Sequence, residues 1–455
     1  MCTTTRYGAQ PPGASVDAQP PSALRNRSAS AARAACTGSK AKTPSTTTAS
    51  RTFISGASAP RYALRSLLVA GVHPFRGTRY DPLRVGDLAG VVAPPYDVIP
   101  DERLAGYRER SPYNVVRLTR PGADYLGAAA LELDWVEKGI LREDPSPAFY
   151  LHEQAFDGRV RRGLLAAVRL SPYGAGDVLP HERTHGGAKA DRLELYRATA
   201  TAFEPLWFVY RGAGTPLPRL LAAGFDAHPA LSFETEAGER HRLWIATDTG
   251  WQGEVSAAFA GLPLLIADGH HRYETALTYA AEVGAEPGSA ADHALVLLVD
   301  IEDPGLVVLP THRVMKIAPV AVTGGVPKPS LADTLAGLKG QVSAGHYRAG
   351  QFQVLPLEGE LALVELHRQV IDNLLGKRSA EEVLMYTRDA EEAVRWVDEG
   401  RGQQAFFLDA PDLAVVLKFA QAGKVLPQKS TFFHPKPPSG MVFLRLDSKG
   451  ALNSN

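Results

Sequence analysis

Leu262 to Val283 reads LPLLIADGHHRYETALTYAAEV, and the fold turns on it. Leu262 to Ala267 is a short apolar run, Asp268-Gly269 breaks it, and Tyr273, Ala276, Leu277 and Ala280 then recur at helical spacing. The pattern predicts a strand, a tight turn and a helix over Arg272 to Val283. Such a turn leaves backbone N–H groups and the positive end of the helix dipole facing outward, an anion site. Gly269 lets a phosphate approach the backbone closely. Arg272 adds a bidentate phosphate donor, with His270 and His271 as two more. Asp268, at the strand's end, is placed to hold Mg²⁺, which accompanies nucleotide phosphates. Two other readings compete. Asp268 could simply cap the helix with the histidines exposed, or His270, His271 and Glu274 could form a metal cluster. Consecutive helical residues point about 100° apart, which argues against two adjacent histidines sharing one ion.

Working outward, the texture is mixed. Val69 to Arg79, Gly90 to Ile99, Asn114 to Leu118, Ala148 to Phe156, Gly163 to Leu170, Phe203 to Tyr210 and His241 to Thr247 read as strands. Asp157-Gly158 is a hairpin signal between two of them. Tyr125 to Gly139 has helical spacing, with Leu126, Leu133 and Val136 as its expected buried side. Beyond the central turn, strands are expected at Ala294 to Ile301, Gly305 to Leu309, Val383 to Thr387 and Gln404 to Leu408. Helices are expected at Leu361 to Leu375, Ala390 to Glu399 and Pro411 to Ala422. The fold class is therefore mixed α/β with mixed sheets. The expected division is a tail at 1–66, an α/β domain at 67–235, a core at 236–345 carrying the turn, and a C-terminal α/β subdomain at 346–455.

The tail is rich in Ala, Ser, Thr, Pro and Arg and holds one acidic residue, Asp17. It has too little apolar surface to offset its ordering entropy and is expected to be disordered. An organelle transit peptide shares that composition, and so does a plain linker. Both cysteines, Cys2 and Cys36, fall in this tail, so no disulfide framework or cysteine zinc site serves the body. Lys plus Arg, 49, balances Asp plus Glu, 49, which gives no overall field toward nucleic acid or an acidic membrane. No run nears the roughly 18 apolar residues that a membrane span needs. A cytoplasmic protein with no nucleic-acid or membrane partner is the expectation.

Two further segments carry chemistry. Leu179-Pro180-His181-Glu182-Arg183-Thr184, followed by Lys189, Asp191 and Arg192, is a charged loop with Gly186-Gly187 beside it. Glu182 is the natural base to guide an acceptor proton, and His181, Arg183, Thr184, Lys189, Asp191 and Arg192 are candidates to bind the acceptor. Gln428 to Lys436 interleaves aromatic residues with polar ones. Lys429 and Lys436 could reach phosphates there, with Ser430 or Thr431 capping or binding metal. Thr311-His312-Arg313 is weaker, and Pro94-Pro95-Tyr96-Asp97 is read as a cleft wall.

Taken together, PPYDVI (94–99), LPHERT (179–184), IADGHHRYETAL (266–277), LPTHRV (309–314) and PQKSTFFHPK (427–436) resemble a prokaryotic family known as domain of unknown function 1015. The resemblance runs from about Val69 to the end of the chain. The DGHHR turn is also similar to the phosphate box of the ParB/sulfiredoxin-like fold and to that of free L-serine kinases. By that resemblance Gly269, His270, His271 and Arg272 hold the phosphates of ATP or ADP, and Asp268 serves Mg²⁺ or the acceptor hydroxyl. It implies a nucleotide-dependent phosphotransferase acting on a small hydroxy metabolite, free L-serine first. Asp268, His271 and Arg272 would be catalytic together with Glu182, whose role is read from its chemistry alone, and Lys429, Ser430 and Thr431, read from their polar segment, would join the nucleotide site. A ParB-type nucleotide switch, or a metal-dependent hydrolase using His270, His271 and His181, are the alternatives.

Overall fold

The computed structural model describes residues 71–182, 187–317, 322–375, 378–448 and 452. The expected disordered tail, 1–66, lies outside them. The mixed α/β class is observed. A nine-stranded sheet runs Val178–Leu179, Leu264–Asp268, Leu206–Tyr210, His293–Asp300, Arg159–Arg169, Phe149–Phe156, Arg240–Ala246 and Leu231–Glu234. Val72–His73 is its ninth strand, paired with Arg159–Arg169. Leu264–Asp268 is parallel to Val178–Leu179 but antiparallel to Leu206–Tyr210, which itself lies parallel to His293–Asp300.

Both faces of this sheet are covered, so its inner strands are nearly continuous in apolar residues. Leu164, Phe208, Ile266 and Val296 enter one core, while Leu165, Trp207, Leu265 and Leu297 enter the other. That is the period-two alternation of a strand read on two buried sides. The first core is closed by the helices Leu217–Gly224, Thr249–Phe259 and His270–Glu282. The second is shared with the chain's last segment, through Phe433, Val442 and Phe443.

A six-stranded antiparallel sheet follows, in the order Val326–Lys328, Gln351–Pro356, Ser343–Arg348, Gln404–Phe407, His312–Met315 and Leu384–Thr387. The first sheet takes strands from both sides of residue 235, and one strand of the second crosses residue 345. The expected divisions at these positions therefore do not coincide with the sheets. Val307–Leu309 and Phe432–His434 pair as a separate two-stranded sheet, and Phe433 packs on Trp207 of the first sheet. Among the described residues no helix is long and apolar enough to cross a membrane.

Several local expectations need correction. Asn114 to Leu118 is no strand: buried Asn114 donates to Gly90 O (2.7 Å) and accepts from Val116 N (3.1 Å), starting the one-turn helix Val116–Thr119. Gly90 to Ile99 forms short 3₁₀ turns rather than a strand. Helix Tyr125–Glu137 exists, but Leu126, Leu133 and Val136 are 78, 54 and 38% exposed. Its buried side is Ala128, Glu132 and Trp135 instead, because Glu132 takes a buried hydrogen bond from Thr201 Oγ1 (2.8 Å) and so fixes the helix phase.

Candidate functional site

The strand Leu264–Asp268 does not end regularly. Ile266 faces Phe208, yet Asp268 faces Trp207, so the register slips at Ala267. Such a bulge re-aims the next side chain. Gly269 follows at φ 94°, ψ 27° and opens helix His270–Glu282 with no side-chain cap on its N-terminus. A side chain at 269 would meet Leu206 Cδ2 at 2.6 Å, so the corner requires glycine on both counts.

Asp268 is free of capping duty because two cations hold it. Its Oδ1 lies 2.6 Å from Lys436 Nζ and its Oδ2 2.7 Å from Arg272 Nη2. Burial alone would raise its pKa, but the charges of Lys436 and then Arg272 outweigh burial and hold it at about 2. The capping reading of Asp268 is thereby excluded. Arg272 is 6% exposed and also donates to Pro205 O (2.8 Å). Burial works against its charge, and Asp268 more than restores it. Arg272 thus braces the turn from beneath, where the sequence suggested a direct phosphate donor.

Lys436 reaches further. Its Nζ is also 3.1 Å from Asp97 Oδ2, so one ammonium bridges two carboxylates. Burial would lower the pKa of Lys436; Asp268 and then Asp97 raise it. A bridging ammonium holds the place that a divalent ion between two carboxylates would need. With both oxygens of Asp268 engaged by cations, this arrangement does not fit a protein-held Mg²⁺ there. Among the described residues no group of three or more His, Cys, Asp or Glu could hold a metal ion.

His181 and Glu182 arrive from the neighbouring parallel strand. His181 is 1% exposed, and burial lowers its pKa, leaving a neutral ring. Its Nδ1 faces Ile266 O at 2.7 Å, and a carbonyl only accepts, so Nδ1 carries the proton. Nε2 must then accept from Thr431 Oγ1 (2.7 Å). His181 N donates to His270 Nε2 (3.3 Å), whose ring burial and then His181 keep neutral. Both His181 nitrogens are committed within the protein, which removes the metal-hydrolase assignment for it. Glu182 Oε1 accepts from Ser430 N (2.8 Å). Its other oxygen makes no hydrogen bond among the described residues, and the side chain is 19% exposed.

The remaining candidates divide. Ser430 gives its hydroxyl to Pro427 O and Thr431 gives its own to His181, so both brace the site from within. Lys429 is exposed in a left-handed conformation, φ 54°. Arg313, fully buried, donates to Gln428 O (3.2 Å) and Lys429 O (3.1 Å), which gives the weak Thr311-His312-Arg313 signal a holding role. Asp191 accepts from Tyr125 Oη (2.7 Å) and Arg192 (2.6 Å), and Arg192 lies over the Tyr96 ring at 4.1 Å. These residues line a cavity of about 570 Å³ that also touches Asp97. His271 sits half-buried in the first helical turn. Arg183, Thr184 and the side chain of Lys189 fall outside the described residues.

Sequence reasoning left Glu204 unnoticed: its Oε1 accepts from Tyr96 N and Ser439 Oγ, each at 2.8 Å, tying the Pro94–Asp97 corner to the last segment. A glutamate between the apolar residues Phe203 and Leu206 was the available signal.

A free serine kinase in complex with AMP is 14% identical over 58% of this chain and 88% of its own, with a TM-score of 0.33. A conserved hypothetical protein from Pyrococcus furiosus is 17% identical over 58 and 90%, TM-score 0.32. C-terminally truncated SbnI from Staphylococcus aureus is 13% identical over 62 and 90%, TM-score 0.32. Scores this low do not establish a shared activity. No curated protein matches the chain in sequence. A model of one family, described as a protein of unknown function (DUF1015), matches residues 72–325, more than half of the chain. The segments that meet at Asp268 include three of its stretches, at 94–97, 181–182 and 268–272, and the chain belongs to that DUF1015 family.

Proposed function

We propose that the chain is a phosphotransferase, moving a phosphoryl group from ATP or ADP to the hydroxyl of a small metabolite, with free L-serine as the first acceptor. One observation supports this above the rest. Asp97, His181-Glu182, Asp268–Arg272 and Ser430–Lys436, up to 339 residues apart, are bonded into one corner around an uncapped helix N-terminus.

The roles follow from the chemistry. The helix dipole at the start of His270–Glu282 favours the nucleotide's phosphate there. The left-handed backbone at Gly269 sets the direction of the helix's first N–H groups, and Lys436 supplies a cation beside them. Arg272 and Asp268 keep this lining fixed, so it need not reorganise as charge develops. Glu182, with one oxygen held by Ser430 N, presents the other to the acceptor hydroxyl. The acceptor oxygen forms its P–O bond as the donor's bridging P–O bond breaks. The hydroxyl proton passes to Glu182, and the departing nucleotide takes the bond's electron pair. Mg²⁺, where required, would enter on the nucleotide. The cavity beside Asp97 and Arg192 is the space for the acceptor.

The test is incubation of the full chain with Mg²⁺, ATP or ADP, and a panel of hydroxy amino acids, read by phosphorus NMR. A phosphomonoester signal that depends on one acceptor establishes the reading. Absence of any new ester, with no nucleotide bound, removes it.

A further inference from the structure

The strand Phe432–His434 has two sides. Phe433 packs on Trp207 (ring centroids 5.3 Å), and Thr431 turns to His181. Phe432, His434 and Lys436 line the opposite side, the wall of a cavity of about 640 Å³ that Arg103, Tyr107 and Arg388 also bound. That volume lies within the roughly 300–1,000 Å³ of small-ligand sites.

Its charge is unbalanced. Arg103 and Arg388 form no ion pair among the described residues, and with Arg110 they outnumber the two carboxylates on the wall. Glu236 pairs with Arg110 (2.6 Å), and Glu239 accepts from Gln154 Nε2 (2.8 Å). His241, on the floor and 0% exposed, turns its Nε2 to Glu239 Oε2 at 3.6 Å, beyond hydrogen-bond length. The cavity therefore suits the polar part of an anionic ligand rather than of a cationic one. It equally calls for a flat ring: Arg388 Cζ lies 4.0 Å from the Phe432 centroid, and a stacked guanidinium offers its outer face to a base. Lys436 connects the two regions, 5.9 Å from the Phe432 ring on one side and 2.6 Å from Asp268 on the other.

We propose that this cavity holds the base and ribose of a nucleoside phosphate, whose phosphate end runs past Lys436 to the Asp268-Gly269 corner. The inference rests on the phosphotransferase reading and adds where its donor lies. Most of the contacts, Arg388, Phe432 and Lys436, come from sequence beyond the family match, which stops at residue 325.

The test is calorimetric titration of the full chain with ADP and, separately, with inorganic pyrophosphate, which has no base. Arg388→Ala, at an exposed position, and Phe432→Leu are compared with wild type after their melting temperatures are checked. Loss of one stacking partner is expected to weaken ADP about tenfold. Pyrophosphate binding should stay within about twofold, because its contacts lie at the corner. Unchanged ADP affinity in both variants overturns the cavity as the base site, and so does an equal loss for ADP and pyrophosphate. A wild-type chain that binds neither ligand fails differently: it removes the phosphotransferase reading itself.

Discussion

The same dipeptide, Asp-Gly, occurs at 157–158 and at 268–269, and the two turns could hardly differ more. Asp157 (φ 45°) and Gly158 (φ 72°) form the exposed two-residue end of a hairpin, with Phe156 opposite Arg159. A side chain added at 158 would meet nothing within 4 Å. At 268–269 the glycine is pressed against Leu206, and the aspartate is held by Lys436 and Arg272. Among the described residues, four other helices longer than one turn also start behind an aspartate, Asp124, Asp248, Asp389 and Asp412, and there the carboxylate caps the helix. Only near-neighbour chemistry is needed for those five aspartates. Asp268 is drawn off by partners from elsewhere in the chain and does not cap the helix that follows it.

The comparison can be broken by mutation. Arg272→Ala leaves Asp268 with Lys436 alone and Pro205 O without its donor. Breaking a buried pair costs about 3–5 kcal/mol, so a large drop in melting temperature is expected. If that variant melts like wild type, Arg272 does not brace the corner. Gly269→Ala should cost about 2–3 kcal/mol, from strain at positive φ and a clash with buried Leu206. Gly158→Ala, strained but unobstructed, should cost about 1 kcal/mol. Equal denaturation midpoints for the two alanine variants would erase the distinction between the turns.

Acid sharpens it further. Asp268 has a folded pKa of about 2 against an ordinary 3.8. A depressed carboxylate pKa contributes stability that is complete above the unfolded value and is lost as pH falls through the folded one. About 2 kcal/mol should therefore disappear between roughly pH 4 and pH 2. The slope of stability against pH in that window should be smaller in Asp268→Asn, and an identical slope contradicts the pairing. Asp157→Asn is the smallest effect, within about 0.5 kcal/mol, because asparagine tolerates the same left-handed turn.

Local features were legible in the sequence. Strand, turn and helix at 262–283 follow from apolar spacing and one glycine, and the 157–158 hairpin from its turn residues. What no local pattern encodes is which distant segment meets which. The bond from Thr431 to His181 spans 250 residues, and the one from Lys436 to Asp97 spans 339. Side-chain burial was misread for the same reason on helix Tyr125–Glu137, where a hydrogen bond from Thr201 outweighed the leucines. The spacing of Arg272 from Gly269 suggests a ligand contact, and no local pattern encodes its bonds to Pro205 O and Asp268.

The central claim is that the corner at Asp268 transfers phosphate and that Lys436 completes it. The most direct test is a phosphorus NMR time course with Mg²⁺, nucleotide and L-serine, comparing the full wild-type chain with Lys436→Met, which keeps most of the length without the charge. Wild type should give a serine-dependent phosphomonoester, formed about a hundredfold more slowly by the folded variant. Equal rates from both would contradict that claim.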